Sequence, residues 1–419
     1  MDNALFIVII IILLVDFFLE RFLGYLNRHH WKPVMPDGLS GICSPEEYEK
    51  SRQYFMANYH FNQLTTVFYL TFTLFILVFG LFGWLDDWIR LSTSNYLLIS
   101  LLFFGIYGLV SDIISSPFDL YQTFIIEKQF GFNKTTLKLY VLDKLKGWLL
   151  ALVVGGGLIS LILWIYKASG PYFWLLSWAV VTAFLIFVTY FYSSLIVPLF
   201  NKQRPLEEGE LRIAIEAFSK KVGFRLRNIF VMDASKRSTK GNAYFSGFGP
   251  NKRIVLFDTL IEKHSVEELV AVLAHEIGHY KKHHITTGML ISIAQTGLTL
   301  WLLSLFIGSP ELSAALGGKQ ASFHMGLIGF FILYSPVSMV LGLFSNVISR
   351  KNEFAADEFA ARNDDPDHLM TALTRLSTDN LSNLNPHPAY IFFHYSHPPL
   401  VQRLKALGAI KKQKNAHGL

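Results

Sequence analysis

Residues 172–199 read YFWLLSWAVVTAFLIFVTYFYSSLIVPL, a run without a single Asp, Glu, Lys or Arg. A helix needs about 20 mostly apolar residues to cross the ~30 Å hydrocarbon core of a bilayer, and this run is long enough. The same character recurs near residues 4–25, 65–84, 96–117, 147–166, 285–308 and 324–348. The pattern therefore predicts a mostly α-helical, multi-pass membrane protein with about seven transmembrane helices.

The composition agrees with a membrane protein. Of the 419 residues, 52% are hydrophobic and 16% are charged, and the mean hydropathy is +0.37. Soluble domains usually contain about 25% charged residues. We assign the net charge of +6 to lipid headgroup contacts, because no basic run is interleaved with aromatic residues as a nucleic-acid site would require. Membrane lipid is an expected partner and nucleic acid is not. Cys43 is the single cysteine, so no intrachain disulfide can form.

The loops between the predicted spans indicate an orientation. If the N-terminus lies outside, each of the three outer loops carries one basic residue, namely Arg90, Lys167 and Lys319. The inner loops and the C-terminal tail then hold most of the others, as the positive-inside rule demands. We predict that the N-terminus is outside and the C-terminus inside. The first span is expected to be retained, because residue 2 is acidic and no small-residue cleavage site follows.

Four regions follow from this reading: 1–199 with the first five spans, 200–284 as a small cytoplasmic α+β region, 285–348 with the last two spans, and 349–419 as a C-terminal helical region. Within 200–284 we expect a polar helix, three strand-like runs and a second helix that Ser265 and Glu268 open as a capping box. The helix and the runs are expected at Glu207–Val222, Asn228–Asp233, Asn242–Phe248 and Arg253–Asp258.

The second helix carries His275-Glu276-Ile277-Gly278-His279. Two histidines at positions i and i+4 share one helical face and can bind the same ion. Glu276 lies beside that face, where it could take a proton from a metal-bound water as the general base. The alternative is a pair of solvated histidines on a charged helix. Charged residues flank the motif and are costly in hydrocarbon, so we expect the metal near the inner membrane surface.

A catalytic zinc site needs three protein ligands and an open fourth position. Glu353 is the expected third ligand, since it follows the seventh span on the side where the His motif precedes the sixth. Asp357 lies one turn further on and could orient a ligand histidine. The alternative is an acidic surface helix. The three ligands favour one Zn²⁺ ion over other divalent metals.

Other residues are weaker candidates. His394 and His397 lie in a broken segment, and one of them, which we take as His397, could stabilise an oxyanion. Arg403 could fix a carboxylate. Both histidines and Arg403 could equally be structural. Asn242 and Ala243 begin a strand that could pair with an extended substrate or be an ordinary sheet edge. His283 and His284 are interpreted as interfacial residues.

These motifs, taken in order, resemble the type I CAAX prenyl endopeptidases. The resemblance runs nearly end to end and includes Ile126–Lys134, Asn242–Phe248, His275–His279, Asn352–Asp357 and His394–Leu404. It implies seven long helices around a hollow chamber, with zinc near the cytosolic face. It also implies His275, His279 and Glu353 as ligands, Glu276 as general base, and Asn242 and the Tyr395–Arg403 region along the substrate path. Family members remove the last three residues of proteins with a lipidated C-terminal CAAX cysteine.

The sequence is compatible with more than one source organism and more than one native substrate. The compact loops and the absence of a dilysine signal near Leu419 suggest a bacterial member in the inner membrane. Bacteria generally do not prenylate such proteins, so the runner-up function is quality control of damaged or unassembled membrane proteins. A metal-binding transporter would need ionisable residues within several spans, and Asp112 is the clear case. The oligomeric state does not follow from the sequence.

Overall fold

The computed structural model describes residues 3–36, 39–224, 228–246 and 253–416. Its first half is helical, with α1 (Ala4–His30), α2 (Pro45–Val78), α3 (Leu81–Arg90), α4 (Tyr96–Tyr121), α5 (Glu127–Gln129), α6 (Leu137–Leu150), α7 (Gly156–Ser169), α8 (Phe173–Phe191) and α9 (Val197–Phe200). Single π-helical turns join α4 to α5, α6 to α7, and α8 to α9.

The second half mixes a small sheet with helices. Its strands are β1 (Gln203–Pro205), β2 (Asn228–Met232), β3 (Ala243–Ser246) and β4 (Arg253–Phe257). Its helices are α10 (Glu210–Lys221), α11 (Asp258–Ile261), α12 (Val266–Lys281), α13 (His284–Phe306), α14 (Pro310–Ala315), α15 (Phe323–Asn363), α16 (Pro366–Asp379), α17 (Pro388–His394) and α18 (Leu400–Ala416). The expectation of a mostly α-helical membrane protein with a small α+β region is confirmed.

Among the described residues, five helical stretches are long and apolar enough to cross a membrane: Pro45–Val78, Tyr96–Gln129, Leu137–Phe200, His284–Phe306 and Phe323–Asn363. Six of the seven predicted spans overlap these stretches, although 65–84 continues beyond Val78 and 285–308 beyond Phe306. The first, near residues 4–25, is helical in α1 but is not among the five. Asp16, Glu20 and Arg21 interrupt its apolar run.

The stretch Leu137–Phe200 contains two of the predicted spans. At 1.5 Å per residue its 64 residues would reach about 96 Å, roughly three times the hydrocarbon thickness. Gly170, with φ 50° and ψ −122°, interrupts the helix between α7 and α8. Leu163 of α7 and Phe173 of α8 then pack in one apolar cluster. Asp112, on which the transporter alternative depended, is paired with Lys144 at 2.9 Å.

The sheet has the strand order β1-β2-β4-β3. β2 and β4 are parallel, whereas β1 and β3 pair antiparallel with their neighbours. The prediction missed β1, since its three residues end in a proline that weakens any strand signal. The predicted run Asn242–Phe248 begins one residue before β3, and its last two residues lie outside the described part of the chain. β3 is an edge strand, a position that matters for the site.

Helix α12 is held by a core on one side and by α15 on the other. Ser265 and Glu268 form the expected capping box, and Leu269, Ala274 and Ile277 are buried against the sheet and α10. On the other side, a Cβ at Gly278 would lie 3.1 Å from the backbone of Ala356. This close approach lets α12 and α15 face each other with short side chains.

Helix α15 is a single helix of 41 residues. It contains the predicted seventh span and continues without a break through Glu353 and Asp357. Its alanines at 356, 360 and 361 are buried, which allows close helix packing. One continuous helix, with Pro336 inside it, therefore links the apolar region to the acidic side chains.

Candidate metal centre

Three side chains from two packed helices converge on one point. His275 and His279 lie one turn apart on α12, with their Nε2 atoms 3.1 Å apart. Glu353 approaches from α15, with Oε2 at 3.4 Å from His275 Nε2 and Oε1 at 3.2 Å from His279 Nε2. Tetrahedral donors at 2.0–2.1 Å from zinc would be about 3.3 Å from one another. The three donor atoms therefore have the spacing of a zinc site.

The charge distribution at this point also fits a cation. Glu353 is 4% exposed, and its Oε2 accepts no hydrogen bond within the described residues, although Arg403 Nη1 lies 3.7 Å from it. A buried carboxylate is costly unless positive charge compensates it. Burial by itself lowers the pKa of His275, but the carboxylates of Asp357 and Glu353 outweigh it and raise that pKa to about 9. Both observations indicate that the site favours positive charge, and the residues fit a bound zinc ion.

Asp357 and Arg403 form a second layer behind His275. Asp357 is fully buried, and its Oδ1 lies 2.9 Å from His275 Nδ1. Arg403 from α18 donates to both carboxylate oxygens of Asp357, at 2.8 Å and 2.6 Å. A carboxylate on Nδ1 fixes the imidazole with Nε2 free to bind a metal. The structure thus places Asp357 and Arg403, two of the candidates named from the sequence, behind the ligand candidate His275.

His284 has a comparable position behind His279, and the sequence analysis missed it. Its Nδ1 lies 3.0 Å from His279 Nδ1. His283 has a left-handed backbone with φ 61°, so the chain turns between α12 and α13 and brings the next ring back over the motif. A helical continuation would not have produced this contact, and no spacing rule in the sequence signals it.

Glu276 separates two cavities beside the three donor atoms. One cavity, of about 400 Å³, is lined by Asn242, Ala243 and His397 among others. The second, of about 370 Å³, extends along α13 toward Gln295. Loss of water around Glu276 raises the pKa of its carboxyl group, although the nearby imidazoles oppose the shift. A carboxyl group with its pKa moved toward neutrality is suited to exchanging protons at this position.

β3 forms the wall of the larger cavity. Asn242 and Ala243 line it together with Phe245. β3 bonds to β4 along one edge, and no other strand pairs with it within the described ranges. Its second edge can therefore accept an extended peptide by strand addition.

The two histidines of the broken segment point to different places. His397 Nε2 lies 3.3 Å from Glu353 Oε1, and its side chain is 65% exposed. His394, at the end of α17, points toward α1, with Nε2 at 3.5 Å from Glu20 Oε2. Of the two, His397 is the one placed beside the candidate metal ligands.

A further cluster that the sequence analysis did not assign ties the membrane helices to β3. Lys240 Nζ lies 3.0 Å from Glu127 Oε2 and 2.9 Å from the Tyr54 hydroxyl, which donates to Glu127 Oε1. The aromatic ring of Phe132 lies under the same ammonium group. This cluster fixes the chain two residues before Asn242. Tyr54, Glu127 and Lys240 are each more than 70 residues apart in sequence, so no local pattern could indicate their contact.

Comparisons with known proteins place these features in one family. Residues 25–202 match the model described as CAAX prenyl protease N-terminal, five membrane helices, and residues 205–411 match peptidase family M48. The CAAX prenyl protease 1 homolog of Arabidopsis thaliana is 36% identical over 389 residues, which cover 91% of this chain and 92% of the relative. The homolog of Homo sapiens is 34% identical and covers 94% and 93%.

A solved structure gives the same result for the fold. The crystal structure of S. mikatae Ste24p superposes with a TM-score of 0.91 at 33% identity, covering 96% of this chain and 99% of that one. The converging donors on α12 and α15, the edge strand beside them and these matches lead to one conclusion: the chain belongs to peptidase family M48, as an integral membrane metallopeptidase of the CAAX prenyl protease type.

Proposed function

We propose that this protein is a zinc metalloendopeptidase that cleaves peptide bonds near the C-terminus of prenylated CAAX proteins or peptides. The observation that carries the proposal is the convergence of His275, His279 and Glu353 beside Glu276 and the free edge of β3. One zinc ion would be held by those three side chains.

The proposed chemistry divides among the surrounding residues. A zinc ion at this position would supply Lewis-acid polarisation of a water molecule and of the scissile carbonyl. Glu276 accepts a proton from the attacking water and returns it to the amine that leaves. His397 donates a hydrogen bond to the oxygen that becomes negatively charged in the tetrahedral intermediate. Asp357 and Arg403 hold His275 in the orientation that keeps its Nε2 available.

The substrate would bind as an added strand. The backbone of Asn242 and Ala243 is within the cavity that contains Glu276, and β3 has a free edge there. Main-chain hydrogen bonds to this edge would hold the peptide in an extended form without a strong sequence requirement. The scissile carbonyl would then pass in front of Glu276.

The membrane arrangement is also part of the proposal. We place seven spans around a chamber, with α1 as the first span and α7 and α8 as separate crossings on either side of Gly170. The N-terminus is outside and the metal and the C-terminus are on the cytoplasmic side of a bacterial inner membrane. Regions 1–199, 200–284, 285–348 and 349–419 would be the spans, the protease region, the last two spans and the C-terminal region.

The test is hydrolysis of a defined substrate by purified protein in lipid nanodiscs. A farnesylated CAAX peptide, the same peptide without farnesyl, and an unassembled membrane protein are incubated with protein of known zinc content, and products are identified by mass spectrometry. We expect release of the C-terminal tripeptide from the farnesylated peptide and loss of activity with a zinc chelator. Cleavage of the unassembled protein alone would replace CAAX processing with quality control.

A further inference from the structure

Among the described residues, no carboxylate forms an ion pair with Arg21 of α1, which lines a polar cavity. Its Nε and Nη1 are buried and have no hydrogen-bond partner within the described residues. Its guanidinium carbon lies 5.8 Å from the centroid of the Phe17 ring. Leaving a charged group unpaired in a partly buried position is costly, so this geometry calls for an anion that is not part of the chain.

The cavity beside Arg21 has room for such a group. It measures about 300 Å³ and lies between α1, α2 and the segment that contains Asn383 and Tyr395. Asn62 and Gln63 add amide groups to its wall. Glu20 also lines it, with its Oε2 at 3.5 Å from His394 Nε2.

Two segments connect this cavity to the candidate metal centre. Tyr395 in its wall is two residues from His397, whose Nε2 lies 3.3 Å from Glu353 Oε1. Asn383 in its wall is three residues from Asn380, which bonds to both the N–H and the carbonyl of Gly241. Gly241 precedes β3, so the cavity lies beyond the Asn242 end of the edge strand. Two residues of chain span at most about 7 Å, so Tyr395 of the cavity wall lies within about that distance of His397.

We propose that Arg21 binds the free C-terminal carboxylate of the peptide substrate in this cavity. The inference rests on the proposed function, since it assumes that the scissile bond lies at Glu276 with three residues beyond it. The planar guanidinium offers two parallel N–H groups that match a carboxylate. The position of Arg21 would determine how many residues fit between the cleaved bond and the C-terminus of the substrate.

The experiment compares a farnesylated CAAX peptide as free acid and as C-terminal amide. We expect the wild type to prefer the acid by about 10- to 100-fold in kcat/KM, the range of a charge-assisted hydrogen bond. In Arg21→Gln this preference should fall toward one, and Arg21→Lys should restore part of it. Arg52→Gln is the matched control, because Arg52 is already paired with Glu49 at 2.7 Å and should keep the wild-type preference. Wild-type zinc content in each variant shows that it has folded.

A binding measurement separates this proposal from the proposed function. Both peptides are titrated into the Glu276→Gln protein, with and without Arg21→Gln, by calorimetry. Tighter binding of the acid that depends on Arg21 supports the carboxylate site even if the wild type fails to cleave either peptide. Equal binding of acid and amide overturns the carboxylate site even if cleavage occurs.

A lipid phosphate headgroup could bind Arg21 through the same chemistry. Loss of the acid preference when phosphatidylglycerol is added to phosphatidylcholine nanodiscs would assign the cavity to lipid and overturn the proposal.

Discussion

Helix α15 carries a histidine–carboxylate cluster near each end, and the two clusters have opposite properties. Near its start, His324 contacts Asp86 at 2.9 Å through Nε2 and Ser100 at 3.1 Å through Nδ1. Near its other end, Glu353 meets His275 and His279. A rise of 1.5 Å per residue from 324 to 353 separates them by about 44 Å.

The cluster at His324 is closed. Its three side chains are at most 3% exposed, and the second oxygen of Asp86 accepts a hydrogen bond from Arg90 at 2.9 Å. The order Ser–His–Asp matches that of a nucleophilic triad, but a substrate could not reach the buried Ser100 hydroxyl. At Glu353, Oε2 accepts no hydrogen bond within the described residues, and a cavity is adjacent. A histidine close to a carboxylate is therefore not enough to indicate a reactive site. The Glu353 cluster differs from the His324 cluster because it has a carboxylate oxygen without a hydrogen bond and a cavity beside it.

The largest effect on zinc binding and activity is expected from removing the carboxylate of Glu353. Glu353→Gln should lose most of the bound zinc and about 1000-fold or more of kcat/KM, because several kcal/mol of charge stabilisation depends on the metal. Zinc per chain is measured by mass spectrometry together with peptide cleavage. Glu358→Gln on the same helix removes an exposed carboxylate paired with Arg362 and should change neither value. Full zinc occupancy in Glu353→Gln would exclude Glu353 as a ligand.

Glu276→Gln should separate metal binding from catalysis. The amide cannot accept the proton, so kcat should fall by about 10²- to 10⁴-fold while zinc content stays at the wild-type level. Glu267→Gln, an exposed position on the same helix, is the control. If the variant loses its zinc, the drop in kcat would no longer report on proton transfer.

A substitution in the closed cluster at His324 should lower the stability of the protein and leave its catalytic activity unchanged. His324→Ala leaves Asp86 and Ser100 each without one partner, at a cost of about 1–3 kcal/mol per buried group. We expect a lower melting temperature in detergent with unchanged zinc content and kcat. His368→Ala, a half-exposed histidine, should melt close to the wild type. Loss of zinc in His324→Ala would contradict the division between the two clusters.

The smallest effect should come from Asp357, which lies behind the ligand candidate His275. Asp357→Asn removes the charge that orients His275, and zinc affinity should fall about 10- to 100-fold, as for other second-layer changes. Competition with a chromophoric chelator measures this affinity. Asp367→Asn, which loses only a surface pair with Lys411, should bind zinc as the wild type does.

The sequence predicted those parts of the site that lie on regular helices. His275, Glu276, His279, Glu353 and Asp357 occur in two helices, where spacing along the chain fixes which side chains share a face. The apolar runs predicted the membrane helices for a similar reason, since hydropathy is a local property.

The sequence could not predict the parts that depend on irregular backbone or on distant contacts. The contact between His284 and His279 needs the left-handed residue His283. The pairing of Lys240 with Glu127 joins positions 113 residues apart. The roles of His394 and His397 were open because a broken segment gives no periodicity from which direction can be read.

The unbroken length of α15 has a mechanical consequence. A straight lever of about 44 Å pivoting at His324 would displace Glu353 by roughly 0.8 Å for each degree of tilt, and Pro336 within the helix is the position at which it would bend. Metal sites hold their ligand distances to about ±0.2 Å, so even a fraction of a degree is significant. Membrane helices change tilt when bilayer thickness changes. The buried hydrogen bond at His324 and the close contact of Gly278 with Ala356 hold α15 near both clusters, and we expect them to limit how far a change in tilt moves Glu353.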